Sequence, residues 1–362
     1  MTWARANVRI LVAILIVIAL VAFPFVVPRP QFWVVSVGIR SLWLGIVALS
    51  LIWLSRYTGM LSLGQMTFWA VAGYGVAIMS TQNGVPYSIS IPVAIALATV
   101  VGALVGLIAV RTQGVYFLML TLATSQLAFY LVLNAASVTR GYVGIGNIDR
   151  PEFLGLSMSD RNVFYFVALA LAAAVSALAW YATRTPFGLA LQGIRDSPER
   201  MRALGYNVYL HRVAAFTFAS FIAAVSGALA LFYHGRITPG AIDLIRSIDV
   251  LIVSVLGGIH SLAGAFIGAL GLTTLQNFAQ EGYIQVRRIT LTGVVFVAVL
   301  LFFRGGIVDL PNQLREYRRS ASRQWARFRS RKHDGRTDRP SGADVSDSAG
   351  GADGRDRQQL PR

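Results

Sequence analysis

The chain has 362 residues, 55% hydrophobic and 13% charged, and its mean hydropathy of +0.60 excludes a soluble globular domain, which could not bury so many long apolar runs. Zero cysteines exclude disulfides, thiolate metal sites and cysteine nucleophiles together, and the four histidines (His211, His234, His260, His333) are scattered rather than spaced as ligands, so neither metal nor cofactor is expected. Much of the formal net charge of +16 lies in one interhelical loop and the tail, where anionic membrane lipid, not nucleic acid, is the expected partner.

Taken in chain order, the first apolar run is Ile10 to Val27, preceded by Arg5 and Arg9 and lacking a small-residue cleavage signature before Pro24 and Pro28. It predicts a retained helix with its N-terminus inside. Further spans are expected at Ile39 to Leu54, Leu63 to Ser80, Ile89 to Val110, Val115 to Ala135, Val163 to Tyr181, Val213 to Tyr233, Val250 to Phe278 and Ile289 to Phe303. These nine runs would leave the carboxyl end outside, whereas Arg304 and the basic run from Arg315 to Lys332 require the inside. Val250 to Phe278 is too long for one untilted span and is interrupted by Gly257, Gly258, Gly264 and Gly268. Dividing it there gives an all-α polytopic membrane protein with about ten transmembrane or re-entrant helices and both termini cytoplasmic.

Between the spans, the loop from Ala136 to Asn162 sets Arg140, Arg150 and Arg161 against Asp149, Glu152 and Asp160; being neutral, it reads as external. The loop 184–212 has five arginines against Asp196 and Glu199, a net +3 that places it in the cytoplasm. Its local grammar predicts two short helices: Pro186 opens the first, Asp196 and Ser197 supply N-cap chemistry, Pro198 suits N1, and Gly205 suits the left-handed position that stops the second. Beyond Asn312 the composition changes to a basic stretch and then a Gly/Ser/Asp-rich end, so residues 1–311 read as the membrane domain and 312–362 as a basic, largely disordered cytoplasmic tail.

No Asp, Glu, Lys or Arg falls in the middle of a span, which argues against a proton-coupled carrier, where such groups persist for function. No GxxxxGK[ST] motif is present, and Lys332 is the only lysine, so the chain has no P-loop of its own and is not expected to be an enzyme. Polar uncharged groups do occur within spans: Gln65, Thr67, Thr121, Thr124, Ser125, Gln126, Asn134, Thr273, Thr274, Gln276 and Asn277. Singly, a Ser or Thr in a membrane helix more often bonds a backbone carbonyl or a neighbouring helix than a solute, and a glycine more often permits close packing. A basic loop likewise obeys the cytoplasmic bias without further purpose. Clusters say more.

Thr185-Pro186-Phe187-Gly188, Gly193-Ile194-Arg195-Asp196, Ala203-Leu204-Gly205-Tyr206-Asn207 and Ala215-Phe216 resemble the cytoplasmic signature of branched-chain amino-acid ABC importer permeases of the M type. Ser62-Leu63-Gly64-Gln65 with Phe68 and Gly73-Tyr74, and Gly114-Val115-Tyr116-Phe117 with Thr121-Leu122-Ala123, resemble that family's two amino-terminal signatures. Gly257-Gly258-Ile259-His260-Ser261 with Gly264 and Gly268 resembles its GGxGSxxG element, with His260 in place of the central glycine and Ala263 where proline is common. Of its external TGGxNGL element only Thr139, Gly141 and Gly144 match.

The resemblance, over roughly residues 35 to 310, implies inverted five-helix repeats of the second class of ABC importers. It also implies a bacterial inner-membrane location, a second permease subunit, two ATP-binding subunits and an extracytoplasmic substrate-binding protein. Coupling to the ATPase would involve Gly188, Ile194, Arg195, Asp196, Glu199, Ala203, Leu204 and Gly205. Candidates for the translocation path are Gln65, Thr67, Tyr74, Tyr116, Thr121, Gln126 and Asn134, and the helix-break glycines are Gly257, Gly258, Gly264 and Gly268. A substrate-translocating subunit for hydrophobic amino acids or a similar small solute is the expected function; the alternative is an ion-coupled carrier or passive channel, distinguished by transport without partners.

Overall fold

The structure is a computed structural model that describes residues 20–25, 31–153, 156–259, 261–281, 293, 294 and 297. The chain divides into two units, residues 1–310 and 311–362. The expected span Ile10 to Val27, apart from the helical residues 20–25, most of Ile289 to Phe303, His260 and the tail lie outside the described residues.

A π-helical stretch, Gln31–Ile39, runs directly into α1, Arg40–Thr58. There follow α2 (Gln65–Thr81), α3 (Tyr87–Ala109), α4 (Val115–Asn134), α5 (Arg161–Arg184), α6 (Pro186–Asp196), α7 (Pro198–Ala203), α8 (Val208–His234), α9 (Leu244–Gly257) and α10 (Gly264–Glu281). Among the described residues five helices are long and apolar enough to cross a membrane: Phe32–Thr58, α3, α4, α5 and α8. The protein is an all-α polytopic membrane protein; the described strands are the two-residue pair Glu152–Phe153 and Leu156–Ser157 in the loop before α5.

Helix α8 is the axis of the bundle, packed against α1, α2 and α3. Lipid offers no hydrophobic drive between helices, so close approach depends on small residues. On α3 the buried positions are Ser90, Ala94, Ala98, Gly102, Gly106 and Ala109, a stripe at helical spacing, while Ile89, Val93, Leu97, Val100, Leu104 and Ile108 face outward. On α8, Gly227 lies so close to the Trp69 carbonyl that a Cβ there would overlap it.

Three features depart from, or sharpen, the sequence expectation. The span expected from Val213 begins at Val208, because Asn207 caps α8 and the first turn is polar enough to escape a hydropathy boundary. The span expected from Leu63 begins at Gln65, and the buried stretch before it is not helical. Hydroxyls serve its backbone: Thr58 Oγ1 accepts from the Met60 N–H at 3.2 Å, Ser62 Oγ from the Gly64 N–H at 3.2 Å, and Thr121 Oγ1 on α4 from the Leu63 N–H at 3.1 Å. The run Val250 to Phe278 does divide, between α9 and α10. Gly258 has φ +103, and at Gly257 a Cβ would collide with the Gly264 carbonyl, so both positions need glycine at this tight reversal.

Candidate functional site

The paired short helices α6 and α7 form as their caps dictate. Thr185 is extended (φ −73°, ψ 161°), its hydroxyl accepts from the Gly188 N–H at 3.4 Å, and Pro186 occupies N1. Helix α6 then buries Gly188, Ala190, Leu191 and Ile194 against α1, α5 and α8. Gly188 sits against the backbone of Thr183, leaving no room for a side chain. Two cap assignments need correction. Asp196 is the last residue of α6 and pairs with Arg195 at 2.8 Å; Ser197 occupies the N-cap of α7, but its side chain makes no capping bond. The side chains that do cap are those of Thr185 and Asn207, the latter accepting from the Leu210 N–H at 3.1 Å.

Arg195 fastens α6 to the bundle. Its guanidinium donates to the Arg56 carbonyl in the last turn of α1 and to Asp196 Oδ1 at 2.9 Å. A cation there complements the carbonyl-rich end of α1. Helix α7 buries no residue. It ends in a Schellman motif: the Tyr206 N–H donates to the Met201 carbonyl at 3.0 Å, the Gly205 N–H donates to the Arg202 carbonyl at 2.9 Å, and Gly205 has φ +88. Arg202 to Asn207 are all exposed, with Leu204 at 67%. Of the expected coupling residues, Gly188 and Ile194 therefore pack inward, Arg195 and Asp196 form the link, and Glu199, Ala203, Leu204 and Gly205 lie on an open surface.

The expected path residues do not all gather. Gln65, Thr67 and Tyr74 on α2 are buried, and among the described residues the amide of Gln65, the hydroxyl of Thr67 and the phenol of Tyr74 have no hydrogen-bond partner. Gln126 on α4 likewise leaves its Nε2 unpartnered. Thr121 is committed to the chain itself, accepting from Leu63 and donating to the Leu118 carbonyl at 3.0 Å. Tyr116 is 76% exposed and Asn134, whose Nδ2 donates to the Tyr130 carbonyl at 2.9 Å, is exposed as well. Both face away from the helix bundle.

At the end of the bundle opposite α6 and α7 lies a cavity of about 510 Å³. Arg40, Trp43, Trp69, Tyr233, Arg236 and Arg246 line it. Trp43 is the hub of its aromatic wall, with ring centroids 6.0 Å from Trp69, 6.4 Å from Tyr233 and 5.6 Å from His234. The loop between α4 and α5 holds the far wall in place: Ile145 and Ile237 exchange both backbone hydrogen bonds, at 2.9 and 2.8 Å, and a Cβ at Gly144, which has φ +70, would strike the Ile237 carbonyl.

Residues 34–303 match the family model described as "Branched-chain amino acid transport system / permease component". The chain belongs to this permease family. It is 27% identical to the high-affinity branched-chain amino acid transport system permease protein LivM of Escherichia coli (strain K12), over 75% of this chain and 69% of the relative. It is 25% identical to the autoinducer 2 import system permease protein LsrC of Enterobacter sp. (strain 638), over 70% and 71%, and 24% identical to the fructose import permease protein FrcC of Rhizobium meliloti, over 52% and 54%. The names of these relatives thus span branched-chain amino acids, autoinducer 2 and fructose.

Sequence reasoning misses the arginine cavity of this permease. Arg40 is legible only as a charge at a span end, and Arg236 and Arg246 only as loop residues; no periodicity connects positions about two hundred apart. The one available signal is the aromatic residues Trp43 and Trp69, which in a membrane helix read first as core or interface anchors.

Proposed function

We propose that this permease is the substrate-translocating subunit of a bacterial inner-membrane ABC importer for branched-chain or other hydrophobic amino acids, or a similar small solute. It works with a second permease subunit, two ATP-binding subunits and an extracytoplasmic substrate-binding protein. The observation that carries this reading is the one-sided α6–α7 pair: one face is sealed into the bundle and tied to α1 through Arg195, and the other is bare, with Leu204, Tyr206, Arg200 and Arg202 exposed. An exposed helix rigidly joined to a transmembrane helix is suited to receive a push and pass it on. Closure of the ATP-binding subunits displaces α6 and with it the end of α1, and the solute moves because the two conformers bind it differently.

The substrate class rests on the family description and the resemblance to LivM; the kinship with LsrC and FrcC is why it is stated broadly. Reconstitution tests the reading. The purified chain alone in liposomes is expected neither to move leucine down a gradient nor to hydrolyse ATP, and addition of its ATP-binding and substrate-binding partners is expected to restore ATP-dependent uptake. Facilitated uptake by the single chain would replace this reading with that of a channel or carrier.

A further inference from the structure

A buried charge without a counter-charge stands near the start of α8. Arg212 is 8% exposed, and among the described residues it makes no hydrogen bond and no ion pair. Its Nε is enclosed without a partner, whereas its two terminal nitrogens reach the surface. Of the acids on α6 and α7, Asp196 is taken by Arg195, and Glu199 lies exposed and beyond ion-pair distance. The charge that does reach Arg212 has its own sign: Arg202, exposed on α7 and itself unpaired among the described residues, repels it. The positive end of the α8 dipole adds to the same field. An arginine drawn out of water among like charges is costly, and an anion is what completes the arrangement.

Depth in the membrane identifies the anion. Helix α8 has 27 residues, about 40 Å at 1.5 Å per residue, against about 30 Å of hydrocarbon, so roughly 5 Å projects at each end. Arg212 stands about 6 Å along α8, at the boundary where lipid headgroups begin. The first turns of α8 are fixed there. Phe216, one turn further on the same stripe, packs edge-on against Phe68 and Phe117 at 5.6 and 6.0 Å, and Tyr209 donates to the Leu107 carbonyl on α3 at 2.6 Å. A protein partner seated on the exposed side of α7 would have to reach past that helix, whereas a lipid phosphate already lies at this depth.

We propose that Arg212 and Arg202 together hold the phosphate of one anionic phospholipid. Each guanidinium offers a planar fork of donors that matches two phosphate oxygens, and a phosphate between them turns their repulsion into shared attraction. The headgroup carries a net negative charge, because a choline would bring a third cation against the pair. The assignment rests on this chain alone and is independent of the importer reading.

The test uses the full chain in detergent at low ionic strength, with lipid binding read by native mass spectrometry. The probes are dioctanoyl phosphatidylglycerol, dioctanoyl phosphatidylcholine and inorganic phosphate. The phosphatidylglycerol is expected to bind saturably and at least about ten-fold more tightly than either of the others, the ratio of one charge-assisted hydrogen bond. Arg212→Gln is expected to weaken it about ten-fold and Arg202→Gln, on the exposed α7, about three-fold. Arg184→Gln, exposed at the same end with its guanidinium over Trp180, is expected to change it by less than about two-fold. The basic stretch after Asn312 is common to every variant, so the differences between variants read this site. Without lipid, Arg212→Gln is expected to melt no lower than wild type, because the uncompensated charge is gone, and phosphatidylglycerol is expected to raise the melting temperature of the wild type alone. The proposal is overturned if phosphatidylglycerol does not saturate, if phosphatidylcholine or inorganic phosphate binds as tightly, or if Arg184→Gln weakens binding as much as the other two. It is equally overturned if Arg202→Gln, or a folded Arg212→Gln, binds phosphatidylglycerol as wild type does; loss of a co-purifying ATP-binding subunit in such a variant would give the anion to a partner's carboxylate.

Discussion

Gly205 is the sharpest place to separate the coupling role proposed for α7 from mere folding. The residue sits at φ +88 with no atom within 4 Å of a built Cβ, so Gly205→Val adds backbone strain without a packing clash. Left-handed backbone costs an L-residue about 1–2 kcal/mol, and β-branching raises this toward about 3. At about 2 kcal/mol the native turn loses roughly thirty-fold in population to alternatives, which breaks the two Schellman hydrogen bonds and misplaces Leu204 and Tyr206. Gly84 provides a matched control: it has φ +63, is also open within 4 Å, and lies in the turn between α2 and α3. Gly84→Val therefore carries a similar conformational cost away from α7. In an assembled importer, both variants are expected to express and to melt at similar temperatures. Only Gly205→Val is expected to lose transport and ATPase stimulation by loaded binding protein, with Gly205→Ala intermediate. Full transport in a well-expressed Gly205→Val, or equal loss in Gly84→Val, would refute the reasoning.

Other outcomes follow from single contacts. Thr121→Val removes the acceptor of the buried Leu63 N–H and is expected to lower stability by about 1–3 kcal/mol, with Thr121→Ser close to wild type, in thermal unfolding in detergent. Gly227→Ala forces a Cβ into the Trp69 carbonyl across the α8–α2 contact and is expected to cost about 1–3 kcal/mol or more, seen as a lowered melting temperature or lost expression. The absence of cysteine makes topology directly testable, since any introduced thiol is the only one. Glu199→Cys on α7 is expected to react with an impermeant maleimide only from the cytoplasmic side, and Tyr142→Cys, at a residue 79% exposed in the loop after α4, only from outside. Labelling of both from the same side would refute the placement of the two loops on opposite faces of the membrane.

What the sequence alone determined is whatever depends on a short stretch of chain. Apolar length identified α3, α4 and α5 within a few residues, because the hydrocarbon thickness is a property of the bilayer and not of the neighbours. Pro186, Pro198 and Gly205 marked the short helices, because φ preference is intrinsic to the residue; of the glycines of 257–268, Gly258 has the left-handed φ at the break, whereas Gly264 and Gly268 lie within α10 and pack closely on α9. The caps were harder: Asp196, Ser197, Thr185 and Asn207 all have capping chemistry, and only the path of the chain decided that Thr185 and Asn207 use it. The tertiary structure decided everything that depends on which helix stands beside which. Thr121 looked like a path residue and instead holds the backbone of Leu63, 58 positions away. Arg195, one arginine among five in its loop, reaches the end of α1, and Arg40, Trp69, Arg236 and Arg246 meet in one cavity because α1, α2 and the segment after α8 converge there. Such encounters are fixed by small residues that set how closely helices approach, and a hydropathy profile contains no information about which stripe meets which.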